Sequence, residues 1–307
     1  MYAGELSRWV GEVEKFNAVH WRRQPAVFDS VLEAPMTIED VDAALASGLL
    51  RTPHLEMTRA DEQIDAARYT SSREVLDQQA TGYADHERVL ALLQGGATLL
   101  LRNTEHWHRP TAALVARMSE ELDRRVEAFF FVTPPGAQGL ALHRDDADVL
   151  LLQVAGSKHW TVKGGPDSGD WQSGTIAGDG GPALLETTVR PGQVLYIPRG
   201  YAHSAIGHQG LSLHLSLTIR EVGARHLAHA LQRHLMSGLR LPVRPLDGES
   251  LLAAAATLID TVRERIAQVS PQDLLDSAWQ AQRDQPLNDS DRADIGGYAA
   301  GLLSTGG

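Results

Sequence analysis

The spacing of apolar residues changes character twice along this chain. Before residue 129, helical and extended runs alternate. Thr37-Ile38-Glu39-Asp40 opens a helix predicted through Leu49, with Thr37 as N-cap and Asp40 at the third helical position, close to a capping box. DHERVLALLQ (85–94) reads as helix, is stopped by Gly95-Gly96, and gives way to the strand-like ATLLLRN. TAALVARMSEELDRR (111–125) has apolar positions at helical spacing and follows Pro110, a good first-turn residue. From Phe129 the runs are short and extended: FFFVT (129–133), VLLLQV (149–154), KHWTV (158–162), ALLETTV (183–189) and VLYI (194–197). Turn-forming Pro and Gly separate them, and residues 167–182, rich in Gly, Ser and Asp, read as a loop. Many short strands closely punctuated by turns predict a β-sandwich or barrel.

LSLHLSLTI (211–219) alternates most strictly. Leu211, Leu213, Leu215, Leu217 and Ile219 share one face, and Ser212, His214, Ser216 and Thr218 the other. The polar face is small and, apart from one histidine, has no ionisable group. It suits the lining of a cavity better than an edge open to water.

After Arg220 the pattern is helical. ARHLAHALQRHLM (224–236) is followed by LLAAAATLIDTVRERIAQ (251–268), with an apolar stripe through Leu251, Leu252, Ala255, Leu258, Ile259, Val262 and Ile266. Ser270-Pro271-Gln272-Asp273 then starts another helix. A soft boundary falls near residue 222. Expected parts are an N-terminal segment 1–30, a catalytic domain 31–222 and a helical region 223–307.

Composition narrows this picture. The 307 residues include no cysteine, so disulfides and thiolate metal sites are excluded, and any metal must be held by imidazole and carboxylate. MYAGELSRWVGEVEKF does not read as a signal peptide, and no apolar run is long enough for a membrane span, so a cytoplasmic protein is expected. The net charge of −11 speaks against direct nucleic-acid binding and suits a basic partner.

Candidate chemistry lies where LALHRDDADVLLLQV (140–154) breaks from apolar to polar. His143 and Asp145 are two residues apart and on a strand would point the same way, able to bind one ion. His203, in VLYIPRGYAHSAI, follows a strand and a Pro-Arg-Gly turn and is the best-placed third ligand. Two imidazoles and one carboxylate on one face of a metal leave the opposite positions open, as in non-haem Fe(II) oxygenases. H-x-D alone is a weak signal, most often a surface turn. Asp146 and Asp148 read as solvated or supporting, and His106 and His108 in EHWHRP as loop or packing residues. Lys158 is either an exposed hairpin lysine or a buried ammonium that needs an anionic ligand.

TPPGAQGLALHRDDADVLLLQVAGSKHWTV (133–162), PGQVLYIPRGYAHSAI (191–206) and SLHLSLTI (212–219) together resemble the JmjC-type Fe(II)/2-oxoglutarate oxygenases of the ribosomal-oxygenase-like (cupin-4) branch. WRRQPAVF (21–28) is similar to that family's leading segment. The resemblance implies an α+β fold: a double-stranded β-helix, or cupin/JmjC jelly roll, with an N-terminal α/β decoration and a C-terminal helical region. It implies Fe(II) on His143, Asp145 and His203. It implies 2-oxoglutarate held by Lys158, with His214, Ser216 and Thr218 lining its pocket, and O₂ as oxidant. Phe129 stands where the family usually has asparagine and Phe131 where tyrosine is common, so two hydrogen-bonding groups are missing.

The expected function is hydroxylation of a peptidyl residue, as by the family's ribosomal-protein His and Arg hydroxylases, with a peptide or protein acceptor and a homodimeric assembly. Two alternatives stay open. One is a hydroxylase of a small metabolite or biosynthetic peptide, favoured by Phe129, Phe131 and the short region after Gly223. The other is a non-catalytic cupin-like binding protein.

Overall fold

The computed structural model describes residues 4–60, 62–244 and 247–283. They fall into two compact units, one ending at Arg220 and one beginning at Glu221. In the first, the strands are β1 (Ala26–Asp29), β2 (Leu55–Arg59), β3 (Glu62–Gln63), β4 (Thr70–Val75), β5 (Gln78–Ala84), β6 (Thr98–Leu101) and β7 (Val126–Thr133). They continue with β8 (His143–Arg144), β9 (Ala147–Ala155), β10 (Lys158–Lys163), β11 (Gly174–Thr175), β12 (Ala183–Val189), β13 (Gln193–Ile197), β14 (His203–Gly207) and β15 (Ser212–Arg220).

Eight strands form one sheet in the order β1-β13-β9-β15-β7-β6-β2-β3, and five form a second, β11-β8-β14-β10-β12. The ladders within both sheets are antiparallel. Side chains show how the sheets face each other. Val149 and Leu151 of β9 and Leu195 and Ile197 of β13 form one apolar cluster with Trp160 and Val162 of β10 and Ala205 of β14. This facing pair of antiparallel sheets is the jelly roll of the cupin/JmjC type.

The central strands of the larger sheet are buried on both faces. Leu150 and Leu152 of β9 point the other way, with Phe130 and Val132 of β7 and Leu213, Leu215, Leu217 and Ile219 of β15. There they pack with Leu114, Val115 and Met118 of the helix Arg109–Leu122 and with Trp9 near the N-terminus. Double burial explains why VLLLQV is continuously apolar, whereas β15, equally buried, alternates because its second face turns His214, Ser216 and Thr218 to a cavity. The leucines of β15 face the helical layer, and its polar positions face the second sheet.

Several local signals act as expected. Thr37 and Asp40 form the capping box of the helix Ile38–Ala46, which stops before the predicted Leu49. Asp85 caps His86–Gln94 through the Arg88 amide. The predicted helix 111–125 ends at Leu122, because Asp123 turns left-handed (φ 51°) and the chain enters β7 three residues before the sequence pattern suggests.

One feature was not read from the sequence and another departs from it. The polar stretch 70–84 is a hairpin, β4–β5, without an apolar alternation to announce it. The 167–182 segment, read as a loop, contributes β11, which pairs Gly174 with Arg144 and Thr175 with His143.

The second unit contains helices Ala224–Met236, Gly248–Ile266 and Pro271–Arg283. Ser270 and Asp273 exchange hydrogen bonds at the start of the last. The expected stripe on Gly248–Ile266 is open to solvent at Leu251, Leu252, Ile259 and Ile266. No helix among the described residues is long and apolar enough to cross a membrane.

Candidate active site

The polar break at 143–148 is an abrupt change of direction between the sheets. His143 and Arg144 form β8 of the smaller sheet, and by Ala147 the chain has entered β9 of the larger one. Asp145 therefore lies just past a two-residue strand, not on a continuing one as its spacing predicts. It still meets His143, with its Oδ1 3.8 Å from His143 Nε2. His203 begins β14, where it is the direct cross-strand partner of His143. Its Nε2 is 3.5 Å from Asp145 Oδ2, and the two imidazole centroids are 4.2 Å apart.

Hydrogen bonding fixes which ring nitrogen is free. His143 Nδ1 is 2.7 Å from the carbonyl oxygen of Ala141, and His203 Nδ1 is 3.0 Å from that of Tyr201. A carbonyl oxygen only accepts, so both Nδ1 atoms carry the proton and donate. In the neutral ring this leaves a lone pair on Nε2, the nitrogen turned to Asp145. Burial, reinforced by His203, brings His143 down to about 4 and keeps it neutral near pH 7. Burial pushes the Asp145 carboxyl up, but His203 and His143 outweigh it and hold it at about 2. Candidate ligand atoms of the three residues lie within 4.8 Å of one another. A tautomerically fixed N, N, O set of this kind fits a hard or borderline divalent cation such as Fe(II).

Arginine and backbone contacts brace the turn. Gly200 donates its amide to the Asp145 carbonyl at 3.0 Å. Its φ of +80° is what Pro-Arg-Gly supplies by placing glycine there. Arg144 donates to the carbonyls of Gly164 and Gly200. Asp146, read as solvated or supporting, binds Arg199 Nε at 2.6 Å. Asp148 is a supporting group and not a solvated one. It is buried, accepts from the Tyr196 hydroxyl at 2.5 Å and the Arg199 amide at 3.2 Å, and lies 3.6 Å from Arg22 Nε. Trp21 stacks on Tyr196, with centroids 5.9 Å apart, so the WRRQPAVF segment fastens onto the ligand turn from behind.

A cavity of about 220 Å³ opens beside the triad and runs between the sheets. The polar face of β15 lines it with His214, Ser216 and Thr218, and β10 contributes Lys158 and Trp160. Lys158 is 4% exposed and donates to Thr133 Oγ1 at 3.0 Å. Burial pulls its ammonium down to about 7. An exposed hairpin lysine is thereby ruled out. His214 stacks on Phe131 at 4.6 Å, and its buried Nδ1 has no hydrogen-bond partner among the described residues. Burial, and then the charge of Lys158, push its pKa well down.

His106 and His108 lie outside this cavity's lining. His54 meets His106 edge to face, and His108 binds Thr111 Oγ1 and lies 3.5 Å from Asp40. Sequence reasoning did not single out Arg102, Trp160 or Arg220, all in the lining. The signal that could have found one of them is the period-2 continuation of the β15 polar face into Arg220.

Residues 104–227 match the JmjC domain family. Ribosomal oxygenase 1 of Gallus gallus is 30% identical over 216 residues, covering 66% of this chain and 34% of the relative. The bifunctional lysine-specific demethylase and histidyl-hydroxylase NO66 of Aedes aegypti is 26% identical over 294 residues, covering 87% of this chain and 45% of the relative. The chain thus spans a third to a half of the length of these relatives. Among solved structures, the Escherichia coli ribosomal oxygenase YcfD in complex with cobalt and 2-oxoglutarate shares the fold at TM-score 0.56 and 19% identity, over 86% of this chain and 69% of that one.

Proposed function

We propose that this JmjC-domain protein is an Fe(II)- and 2-oxoglutarate-dependent oxygenase that hydroxylates a peptidyl residue. The observation that carries the reading is the pair of Nδ1-protonated imidazoles, His143 and His203, presenting Nε2 with Asp145 at a cavity whose far wall holds the buried ammonium of Lys158. Chicken and mosquito relatives named as ribosomal oxygenase and histidyl-hydroxylase, and an E. coli relative solved with cobalt and 2-oxoglutarate, support it.

In this reading His143, Asp145 and His203 hold Fe(II). The chemistry supplied there by bound Fe(II) is oxidation of 2-oxoglutarate by O₂ to succinate and CO₂, coupled to hydroxylation of an acceptor C–H bond. Lys158 binds the distal carboxylate of 2-oxoglutarate, and Thr133 aims its ammonium. His214, Ser216 and Thr218 position the rest of the cosubstrate. Phe131 and Trp160 keep water from it, so the ion pair forms at low dielectric, where it is strong. The Ala141 and Tyr201 carbonyls keep the two imidazoles in the tautomer that binds metal.

We further place the protein in the cytoplasm, where iron is kept reduced. It is proposed to act as a homodimer through the helical unit, whose exposed Leu251, Leu252, Ile259 and Ile266 supply an apolar surface. Light scattering that gives a monomer would remove the dimer.

The test of the activity is anaerobic addition of Fe(II) and then 2-oxoglutarate to metal-free protein. A visible charge-transfer band, lost in His143→Ala, is the expected result. No band from folded, iron-supplied protein overturns the assignment in favour of a binding module.

A further inference from the structure

The end of the cavity remote from Lys158 has its own charge pattern. Among the lining residues the formal charges are Arg102, Lys158, Arg220 and Asp145. Asp145 belongs to the metal triad. What is left beside the triad is two guanidinium groups.

Register places both away from Lys158. Lys158 meets Thr133 at one end of β7. Arg102 follows β6, whose Leu101 pairs with Phe130, and its Cζ lies 6.0 Å from the Phe129 ring centroid. Phe129 is four residues from Thr133, roughly 13 Å at about 3.3 Å per residue. Arg220 closes β15 opposite Ala147, two residues beyond Asp145. Arg220 thus lies on the Asp145 side of the cavity, its charge among those that hold the Asp145 carboxyl down, Arg102 lines the cavity beside Phe129, and Lys158 meets the other end of β7.

Each arginine is fixed from behind. Arg102 directs Nε and Nη2 to Glu56 Oε2, at 2.6 and 2.5 Å. Arg220 directs Nε and Nη2 to Glu127 Oε2, both at 2.7 Å. Glu127 is also held by Arg125 Nη2 at 2.8 Å. Neither glutamate lines the cavity. Both arginines have spent one edge of the guanidinium, and the Nη1 of each has no protein partner among the described residues.

We propose that the acceptor presents a carboxylate to Arg102 and Arg220, so that this site takes an acidic acceptor and not a basic one. Each guanidinium, with its Nε–Nη2 edge locked on its own glutamate, is preorganised to meet a planar anion in the cavity. A cationic side chain reaching for the metal would meet two like charges and find no free carboxylate in the lining. Phe129, beside Arg102, offers a neutral acceptor residue no hydrogen bond in exchange. The proposal rests on the oxygenase reading and names its substrate class. It sets aside the basic partner suggested by the net charge of −11, because the sign of the whole surface does not fix the sign of a cavity.

The test uses the full chain loaded anaerobically with Fe(II) and 2-oxoglutarate. The charge-transfer band of the unaltered protein checks the oxygenase reading by itself. Labelled blocked pentapeptides, identical except for a central Asp, Glu, Asn, Gln, Lys or Arg, are then titrated by fluorescence anisotropy, with free aspartate and glutamate as competitors. At least tenfold tighter binding of Asp or Glu than of the matching amide is expected, and a larger gap to Lys and Arg. The preference should fall to within about twofold in the triple variant Arg102→Gln/Glu56→Gln/Arg220→Gln. Removing Glu56 with Arg102 avoids an orphaned carboxylate, Glu127 keeps Arg125, and thermal melting checks the fold. If the triple variant fails to fold, Arg220→Lys alone, which keeps the charge but not the fork, should reduce the preference by several-fold.

Competition by the free amino acids as strong as by the peptides would make the carboxylate source a small molecule and leave its chemistry intact. A band together with equal affinity for acidic and basic peptides overturns the proposal. So does a band with no binding of any carboxylate-bearing probe, or a preference that survives loss of both arginines. A missing band overturns the oxygenase reading instead.

Discussion

The rings of Phe131 and His214 lie face to face, 6° from parallel with centroids 4.6 Å apart, at directly paired positions of β7 and β15. An apolar ring on one strand therefore shields an imidazole on the next, and His214 is buried with no partner for its Nδ1 among the described residues. A buried polar atom without a partner costs stability and is worth keeping only if a ligand uses the ring. His214→Leu should leave the cosubstrate-free protein as stable as before, or about 1 kcal/mol more stable, while weakening 2-oxoglutarate binding roughly tenfold. Urea melts and calorimetric titration of the metal-loaded protein check both halves. Unchanged cosubstrate affinity would leave His214 a packing residue.

Lys158 should make both folding and ligand binding depend on pH. Its ammonium is pulled down to about 7 in the fold by burial, against 10.5 when exposed. Between these values the unfolded chain binds the extra proton, so stability of the cosubstrate-free protein rises with pH. Below about pH 7 both states are protonated and this contribution is flat. Lys158→Met should abolish the rise, which amounts to a few kcal/mol by pH 10. A dicarboxylate requires the charged form, so binding of 2-oxoglutarate at pH 8 should take up a proton. Calorimetry in buffers of different ionisation enthalpy reads that uptake directly, and none in the unaltered protein would count against the carboxylate role.

Metal binding should show itself without turnover. A divalent ion held only by the folded state stabilises by mass action. Co(II) or Mn(II) should raise the melting temperature by several degrees, and His143→Ala, Asp145→Ala and His203→Ala should each lose that rise. They should also abolish turnover, whereas His106→Ala should not. Full activity in any of the three variants would remove it from the triad.

Tyr196 and Asp148 brace the turn on which the ligands sit. Tyr196→Phe deletes the hydroxyl that donates to the buried Asp148 carboxylate and accepts the Arg22 amide at 2.8 Å. A destabilisation of about 1–3 kcal/mol is expected in urea. If the brace positions the ligands, metal affinity should also fall, and a loss of stability with unchanged metal affinity would confine the pair to a structural role.

Much of the site is written in local spacing. The alternation of LSLHLSLTI is legible because a strand preserves period and face. His143 with Asp145 and the histidine after a Pro-Arg-Gly turn are legible as spacings, although Asp145 meets His143 from beyond the two-residue β8 and not along a strand. The pattern of β15 assigned one face to a core and the other to a cavity, as the two sheets have it. Lys158 was ambiguous, since a lysine beginning a hairpin strand reads the same whether it points out or in. Burial among Phe131, Trp160 and Thr133 decided it. The hairpin of 70–84 and β11 carry no apolar alternation, because neither strand needs one to hold its ladder hydrogen bonds. Asp148 was one carboxylate of three until Tyr196, forty-eight residues later, supplied its donor. Arg102 and Arg220 likewise became a charged wall only through Glu56 and Glu127, at sequence separations of 46 and 93. The sequence by itself determined which residues alternate, turn and cap, because those properties depend on neighbours along the chain. Tertiary structure alone decided which charges are paired, which edge of each stays free and what the cavity can receive, because these depend on groups that folding brings together.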